Sequence, residues 1–234
     1  MWRAVIGVML AMGSVSTALA TSPPQSISPI KVLILPADIK IYQLTAANNL
    51  DEQPLASTTA STQVVQDAQT FMRGKQEMVP VSMPALNPQE QAMLNEHLAL
   101  YKVAASTAQT AKQMGGPWDV PFAEFDYTVG PGLQFLKQKT GADVALILIG
   151  DDAESTGGHI AMGMFMSLLG VITPSGRNFM TAGLIDLDTG QIRWLDYDAK
   201  HAGRDFTNPA VLDEIVDEML QKYPQGSIHS DNGH

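Results

Sequence analysis

Two nearly continuous apolar runs stand out along the chain, and each predicts a strand that is covered on both faces. The first run is IKVLILP, residues 30–36, and the second is DVALILIGDD, residues 143–152, which we expect to form the central strand. Between them, Ile39 and Ile41 alternate with polar residues, the period of a half-exposed strand. Later, NFMTAGLIDLDTGQIRWLDYD predicts a β-hairpin over residues 178–198 that turns at Asp-Thr-Gly.

Helical periodicity occupies the segments between these strands. Residues 59–74 carry an apolar stripe at helical spacing, and residues 44–57 before them are expected to be a loop. The longest predicted helix begins at Asn87, with Pro88 in its first turn and Glu90 completing a capping box. A short helix is expected over 131–139, stopped at Gly141.

The last predicted helix is amphipathic and begins after Asn208, which is a favourable N-cap residue. Its apolar face consists of Val211, Leu212, Ile215, Val216, Met219 and Leu220, and acidic residues occupy the opposite face. The order of strands and helices predicts a mixed α/β fold, with one domain over residues 30–224. We expect a single sheet of about four to six strands with helices packed on it.

The N-terminus, MWRAVIGVMLAMGSVSTALA, has the pattern of a secretory signal peptide over residues 1–20. Arg3 precedes a short apolar run, and an A-x-A site predicts cleavage after Ala20. A Ser/Pro linker is expected over 21–29 and a disordered tail over 225–234. The chain is therefore predicted to be periplasmic or secreted, without a membrane span once the leader is removed.

Charge and cysteine content limit the classes of partner. The sequence has 24 acidic and 14 basic residues, a formal net charge of −10, and no cysteine. A strongly acidic chain disfavours binding to nucleic acid and to anionic lipid headgroups. Without disulfides, the exported chain is expected to depend on its apolar core for stability.

The order of motifs resembles a group of bacterial envelope proteins. VLILP (32–36) precedes GADVALILIG (141–150), the hairpin GLIDLDTGQIRWL (183–195) and a terminal helix ending in LQKYP. This order is similar to that in the curli-secretion lipoprotein, the amino-terminal domain of TolB and the lipoprotein activators of penicillin-binding proteins. The resemblance implies a TolB-N-like fold and a non-catalytic accessory role in the cell envelope. Unlike many members, the chain has no cysteine to lipidate, and no functional residue transfers by position.

Two groups of residues offer candidate chemistry. Asp151, Asp152, Glu154 and His159 lie close together after the second apolar run, and such side chains can bind metal or act as general bases. Asp188, in Asp-Thr-Gly, matches part of an aspartic protease motif, but no second copy exists and a hairpin turn explains it. No catalytic, cofactor-binding or metal-binding residue is therefore assigned, and no cofactor is expected.

An apolar segment over residues 160–172 has three open interpretations: a buried core helix, a surface for a partner or for self-association, or a membrane-inserted element. As a helix it is about 20 Å long, short of the roughly 30 Å hydrocarbon core of a bilayer. The candidate partner surface within it consists of Met162, Met164, Phe165, Leu168 and Leu169. Methionine side chains are adaptable, which suits surfaces that accept varied partners.

These observations favour an exported, non-catalytic cell-envelope accessory protein that acts by protein binding or self-association, with peripheral envelope association as a possibility. The alternatives are an exported metal-dependent hydrolase that uses Asp151, Asp152, Glu154 and His159, or a carrier of a small molecule or lipid.

Overall fold

The computed structural model describes residues 29–45, 47, 49–114, 127–155, 178–198 and 204–223. The predicted signal peptide, nearly all of the linker, the apolar segment 160–172 and the predicted tail lie outside the described residues. The described elements include seven strands: β1 (Ile30–Ile34), β2 (Asp38–Leu44), β3 (Leu50–Glu52), β4 (Met78–Val81), β5 (Val144–Ser155), β6 (Asn178–Asp186) and β7 (Ile192–Asp198). The helices are α1 (Pro54–Arg73), α2 (Pro88–Met114), α3 (Gln134–Thr140), which follows a 3-10 turn at Pro131–Leu133, and α4 (Pro209–Gln221).

β5 is the central strand, as predicted. Along one edge it pairs antiparallel with β6, which continues into β7 as the second half of the predicted hairpin. Along its other edge it pairs parallel first with β1 and then with β2. Because β1 and β2 follow each other along the same edge, they form one strand that is interrupted at Leu35-Pro36-Ala37. The ladder continues into this interruption, where the Leu35 amide donates to the Leu146 carbonyl at 3.1 Å.

Two short strands complete the sheet on the outer side of β1 and β2. β4 runs parallel to β1, and β3 runs antiparallel to the end of β2. The described residues thus form a seven-stranded sheet, more than the four to six strands expected. β3 lies in the predicted loop 44–57, because a strand of three exposed residues has no periodicity to reveal it.

Helices cover both faces of the sheet, which confirms the predicted mixed α/β class. On one face, α1 and α4 pack over Val144, Leu146 and Leu148 of β5. On the opposite face, α2 and α3 pack over Ala145 and Ile147. The buried faces on both sides explain why β5 is a continuous apolar run rather than an alternating one.

The helix termini follow the predicted capping residues. In α2, the Asn87 amide donates to Glu90 Oε2 and the Glu90 amide donates to Asn87 Oδ1, both at 2.9 Å. In α4, Asn208 Oδ1 accepts from the Ala210 amide at 3.1 Å, and all the predicted apolar positions are buried or half-buried. α1 begins at Pro54 rather than at residue 59, because residues 54–58 (PLAST) add no apolar stripe at helical spacing.

Among the described helices, none combines the length and the apolar composition that crossing a membrane requires.

Candidate functional site

The structure places three of the four residues of the predicted hydrolase cluster in β5. Asp151 and Asp152 are consecutive in β5, so their side chains project from opposite faces of the sheet. Glu154 pairs in register with Gln43 of β2, and His159 lies outside the described residues. Within those residues, no group of three or more histidine and acidic side chains is arranged to hold a metal ion.

Asp152 is a buried carboxylate that accepts hydrogen bonds from two other segments of the chain. Its side chain is 0% exposed, and its two oxygens accept hydrogen bonds from Asn178 Nδ2 and from the Phe206 amide, each at 2.8 Å. Asn178 also donates to the carbonyl of Arg204. Asp152 therefore ties the end of β5 to the start of β6 and to the segment that precedes α4.

Asp151 lies on the opposite face, in a pocket of about 400 Å³ under α2. Lys102 of α2 forms an ion pair with Asp38 at 2.5 Å in this pocket. Tyr42 also lines it, and burial, followed by the charge of Asp151, raises the pKa of its phenol. The pocket contains both acidic and basic side chains. Two of them, Asp38 and Lys102, are paired with each other.

The Asp-Thr-Gly sequence forms the turn between β6 and β7, as predicted. Asp186 Oδ1 accepts from the amides of Asp188 and Thr189, both at 2.9 Å. Burial opposes ionisation of Asp186, but these bonds and the Arg193 guanidinium outweigh it and lower the pKa of its carboxyl. Asp188 forms an ion pair with Lys137. Both aspartates therefore stabilise the turn.

A backbone close approach fixes the same turn. Gly190 has φ of 74°, a conformation that favours glycine. A Cβ atom at this position would lie 1.9 Å from the Gly130 carbonyl oxygen. Glycine is therefore required at position 190 for two reasons: the positive φ, and the Gly130 backbone that lies against it.

A buried carboxylate lies where α1 packs against α4. Asp67 of α1 is 9% exposed; its Oδ1 accepts from Gln63 Nε2 at 2.7 Å, and its Oδ2 is buried without a hydrogen-bond partner among the described residues. Burial, with a smaller contribution from Asp213 and Asp217 of α4, raises the pKa of this carboxyl. The charge of Asp67 therefore destabilises the contact between the two helices.

An open groove lies where the outer edge of the sheet is interrupted. β4 pairs with β1 as far as Leu33, and β3 pairs with β2 only from Tyr42 onward. Residues 34–41 between these positions have no described strand on their outer side. This gap exists because the two short strands cover the two ends of the interrupted strand and leave its bend open.

The N-terminal half of α1 takes the place of the missing strand. Ser57 Oγ accepts from the Ile41 amide at 2.9 Å, and Ser61 Oγ accepts from the Ile39 amide at 3.1 Å. The Gln53 amide, which precedes the helix, donates to the Ile41 carbonyl at 2.8 Å. An exposed strand edge invites pairing with other chains, so these side-chain bonds protect β2 from such pairing.

Above these bonds lies a groove of about 790 Å³, within the range of about 300–1,000 Å³ typical of ligand pockets. Four exposed or half-buried polar side chains of α1 form one wall: Thr58, Thr62, Gln66 and Gln69. Apolar atoms form its floor and come from Pro36, Ala37, Val65 and Met83. Lys40 and Glu52 close one end as an ion pair of 2.9 Å, and the hydrogen bond from Glu52 raises the pKa of Lys40.

The serines and carboxylates that line the groove are engaged in hydrogen bonds or ion pairs. A serine nucleophile needs an adjacent base, and none of the described lining residues is a histidine. The two carboxylates of the lining, Asp38 and Glu52, are each paired with a lysine. The hydroxyl groups of Ser57 and Ser61 already accept hydrogen bonds from the backbone of β2.

Sequence reasoning missed this groove, because it assigned residues 44–57 to a loop and used α1 only for its buried stripe. A signal was present: the helix PLASTTASTQVVQDAQTFMR contains only two charged residues, Asp67 and Arg73. Most of its exposed side chains are therefore polar and uncharged, a feature that the apolar period does not report. The predicted partner surface at Met162, Met164, Phe165, Leu168 and Leu169 lies outside the described residues and stays a prediction.

Comparisons with known proteins add little to this description. No family model matches the sequence, and no curated protein matches it. Among solved structures, the chain is similar to a hypothetical protein from Chlamydia trachomatis, with a TM-score of 0.43 and 8% sequence identity. The alignment covers 87% of this chain and 100% of that one. A similarity at this level carries no argument about function, and the resemblance to envelope proteins stays a prediction.

Proposed function

We propose that the protein is an exported, non-catalytic accessory protein of the cell envelope, and that it acts by binding another protein or a second copy of itself. The observation that carries this proposal is the groove beside α1. It is open and large enough for a ligand, its serine hydroxyls are engaged by the backbone of β2, and its charged groups are paired. Such a surface offers contacts to a partner but little to a chemical step.

The sequence supports the cellular part of the proposal. The leader-like residues 1–20 direct export, and the resemblance to envelope accessory proteins points to a role in assembling, secreting or stabilising an envelope complex. Neither observation names the partner. Cell fractionation, with N-terminal sequencing of the recovered protein, tests the export; a mature chain that begins at Thr21 in the periplasm or the medium is expected.

Site-specific cross-linking in the native envelope tests the binding role. A photoreactive amino acid replaces Gln66, which lines the groove, or Gln89, which is exposed on α2 away from it. We expect a discrete cross-linked product from position 66, identified by mass spectrometry as one protein or a second copy of this chain, and none from position 89. Equal products at both positions, or none at either, would contradict a binding role for the groove.

The apolar segment provides a second test of self-association, independent of the groove. Met164→Asp places a charge in the predicted partner surface, and sedimentation measures the mass of the purified protein before and after the change. If the wild-type chain self-associates through this surface, the variant is expected to be smaller. A wild-type chain that stays monomeric at high concentration would remove this role from the segment.

A further inference from the structure

We infer that the groove beside α1 accepts an extended, uncharged segment of a polypeptide. This inference rests on the proposed function and names the chemistry of the partner. Four features carry it: the neutral lining, the side-chain amides of one wall, the apolar floor and the length of the open sheet edge.

The charge balance of the groove argues for an uncharged ligand. Lys40 is paired with Glu52 at one end, and Asp38 is paired with Lys102 of α2. The wall contributed by α1 carries hydroxyl and carboxamide groups only. A charged side chain of a ligand would therefore meet no unpaired group of opposite sign in the described lining.

The carboxamides of the wall match the groups of a peptide backbone. A glutamine side chain has one acceptor oxygen and two N–H donors, the same kinds of group that an extended segment presents on alternate sides. Gln66 is exposed and makes no side-chain hydrogen bond described in the structure. Gln69 accepts from Arg73 at 3.1 Å and keeps its own N–H donors available to a ligand.

The serines of α1 limit how far such a segment extends along the sheet. They occupy the outward amides of Ile39 and Ile41, so a bound segment cannot add to β2 beyond Asp38. The unpaired edge therefore covers only residues 34–38, where the strand is interrupted at Leu35-Pro36-Ala37 and Pro36 has no amide to donate. A bound segment therefore spans only a few residues along this edge, and its apolar side chains would cover Pro36 and Val65 on the floor.

A neutral oligosaccharide is the competing class of ligand, because it also carries no charge. Sugar rings are commonly bound against aromatic rings, and none of the described residues that line the groove is aromatic. The apolar floor consists instead of proline, alanine, valine and methionine side chains, which suit aliphatic groups of a peptide. The structure therefore favours the peptide.

The test uses nine-residue peptides that are selected from a phage-displayed library against the full chain. Each selected peptide is labelled with a fluorophore, and its Kd is measured by anisotropy with the wild-type chain and two variants. Thr62→Arg places a long charged side chain in the groove, whereas Thr59→Arg makes the same change on α1 outside the lining. Both threonines are exposed and donate to the carbonyl four residues earlier, at 2.9 Å, so the pair is closely matched.

We expect selected peptides with a net charge near zero, whose Kd increases about tenfold or more in Thr62→Arg, a loss of about 1.4 kcal/mol. In Thr59→Arg the Kd is expected to change by less than about twofold. If Thr62→Arg does not fold, as judged by its unfolding midpoint, Gln66→Glu tests the same wall with a smaller change.

Three results would overturn the inference: no peptide is selected, the selected peptides are insensitive to both groove variants, or their binding depends on charge. Binding of maltohexaose that Thr62→Arg abolishes would overturn it in favour of a sugar. If cross-linking at position 66 captures a protein while no peptide binds the groove, the proposed function stands and this inference fails. If peptides bind and no partner is captured in the envelope, the inference stands and the proposed function fails.

Discussion

The hydrogen bond between Ser57 and β2 provides the sharpest test of how the sheet edge is maintained. Ser57 is 5% exposed, and its Oγ accepts from the Ile41 amide at 2.9 Å. Replacing Ser57 with Ala removes the acceptor and leaves the amide of a buried residue without a partner. The variant keeps the helix and changes no charge, so the effect isolates this one bond.

The expected loss follows from two opposing contributions. A buried N–H that loses its acceptor costs about 1–3 kcal/mol. Alanine is the better helix former, which returns up to about 0.5 kcal/mol. Ser57→Ala should therefore lower the free energy of unfolding by about 0.5–3 kcal/mol. Ser61 is only half-buried, so water can replace its hydroxyl, and Ser61→Ala is expected to cost less.

Urea unfolding of the purified chain, followed by circular dichroism, measures these changes. Thr59→Ala is the matched control, because its hydroxyl is exposed and bonds only to the carbonyl of its own helix. This control should be neutral or slightly stabilising because of the helix propensity of alanine. The slope of the transition should stay constant, which shows that the midpoint reports stability alone.

The reasoning fails if Ser57→Ala unfolds at the same urea concentration as Thr59→Ala. Water would then accept the hydrogen bond from the Ile41 amide in the variant, and α1 would not be acting in place of a strand. An effect of Ser61→Ala larger than that of Ser57→Ala would also contradict it, because the half-buried bond would then matter more than the buried one.

Three further predictions concern stability. Asp67→Asn should raise the urea midpoint at pH 7 and change it little near pH 3. The folded-state pKa of Asp67 lies above its unfolded value, so stability falls as the pH rises through the folded-state pKa; equal midpoints at pH 7 would count against this. Asp152→Ala should lower the free energy of unfolding by about 2–4 kcal/mol, because a buried donor and a half-buried donor lose a charged acceptor; an unchanged thermal midpoint would contradict the structural role. Gly190→Ala should destabilise more than Gly141→Ala. Both glycines have positive φ, which costs alanine about 1–2 kcal/mol, but only at Gly190 would the Cβ also meet backbone; equal losses in urea unfolding would argue against the close approach.

Features that depend on a few neighbouring residues were predictable from sequence. The capping box of α2 joins residues three apart, so Asn87 and Glu90 identified it directly. The apolar face of α4 follows from the helical period, and the residues on it are buried or half-buried as predicted. The unbroken apolar run of β5 likewise indicated a strand covered on both faces.

The candidate site depended on relationships between distant segments, which periodicity does not contain. Asp151 and Asp152 are neighbours in sequence, but the alternation of a strand separates them onto two faces. Their proximity in sequence therefore does not bring the two side chains together, because β5 extends through both residues. The length of β5 could be recognised only from its pairing with β2 and β6, which continues through Asp151 and Asp152.

By itself, the sequence determined the α/β class, the central strand, the hairpin and most helix boundaries, because apolar period and capping residues act over one or two turns. Only the tertiary structure decided that β1 and β2 share one edge of β5, since parallel pairing joins segments more than a hundred residues apart. That arrangement opens the sheet edge between β3 and β4, and it gives the serines of α1 their role. The groove thus arises from pairing between distant strands, and the low charge of α1 indicated only one of its walls.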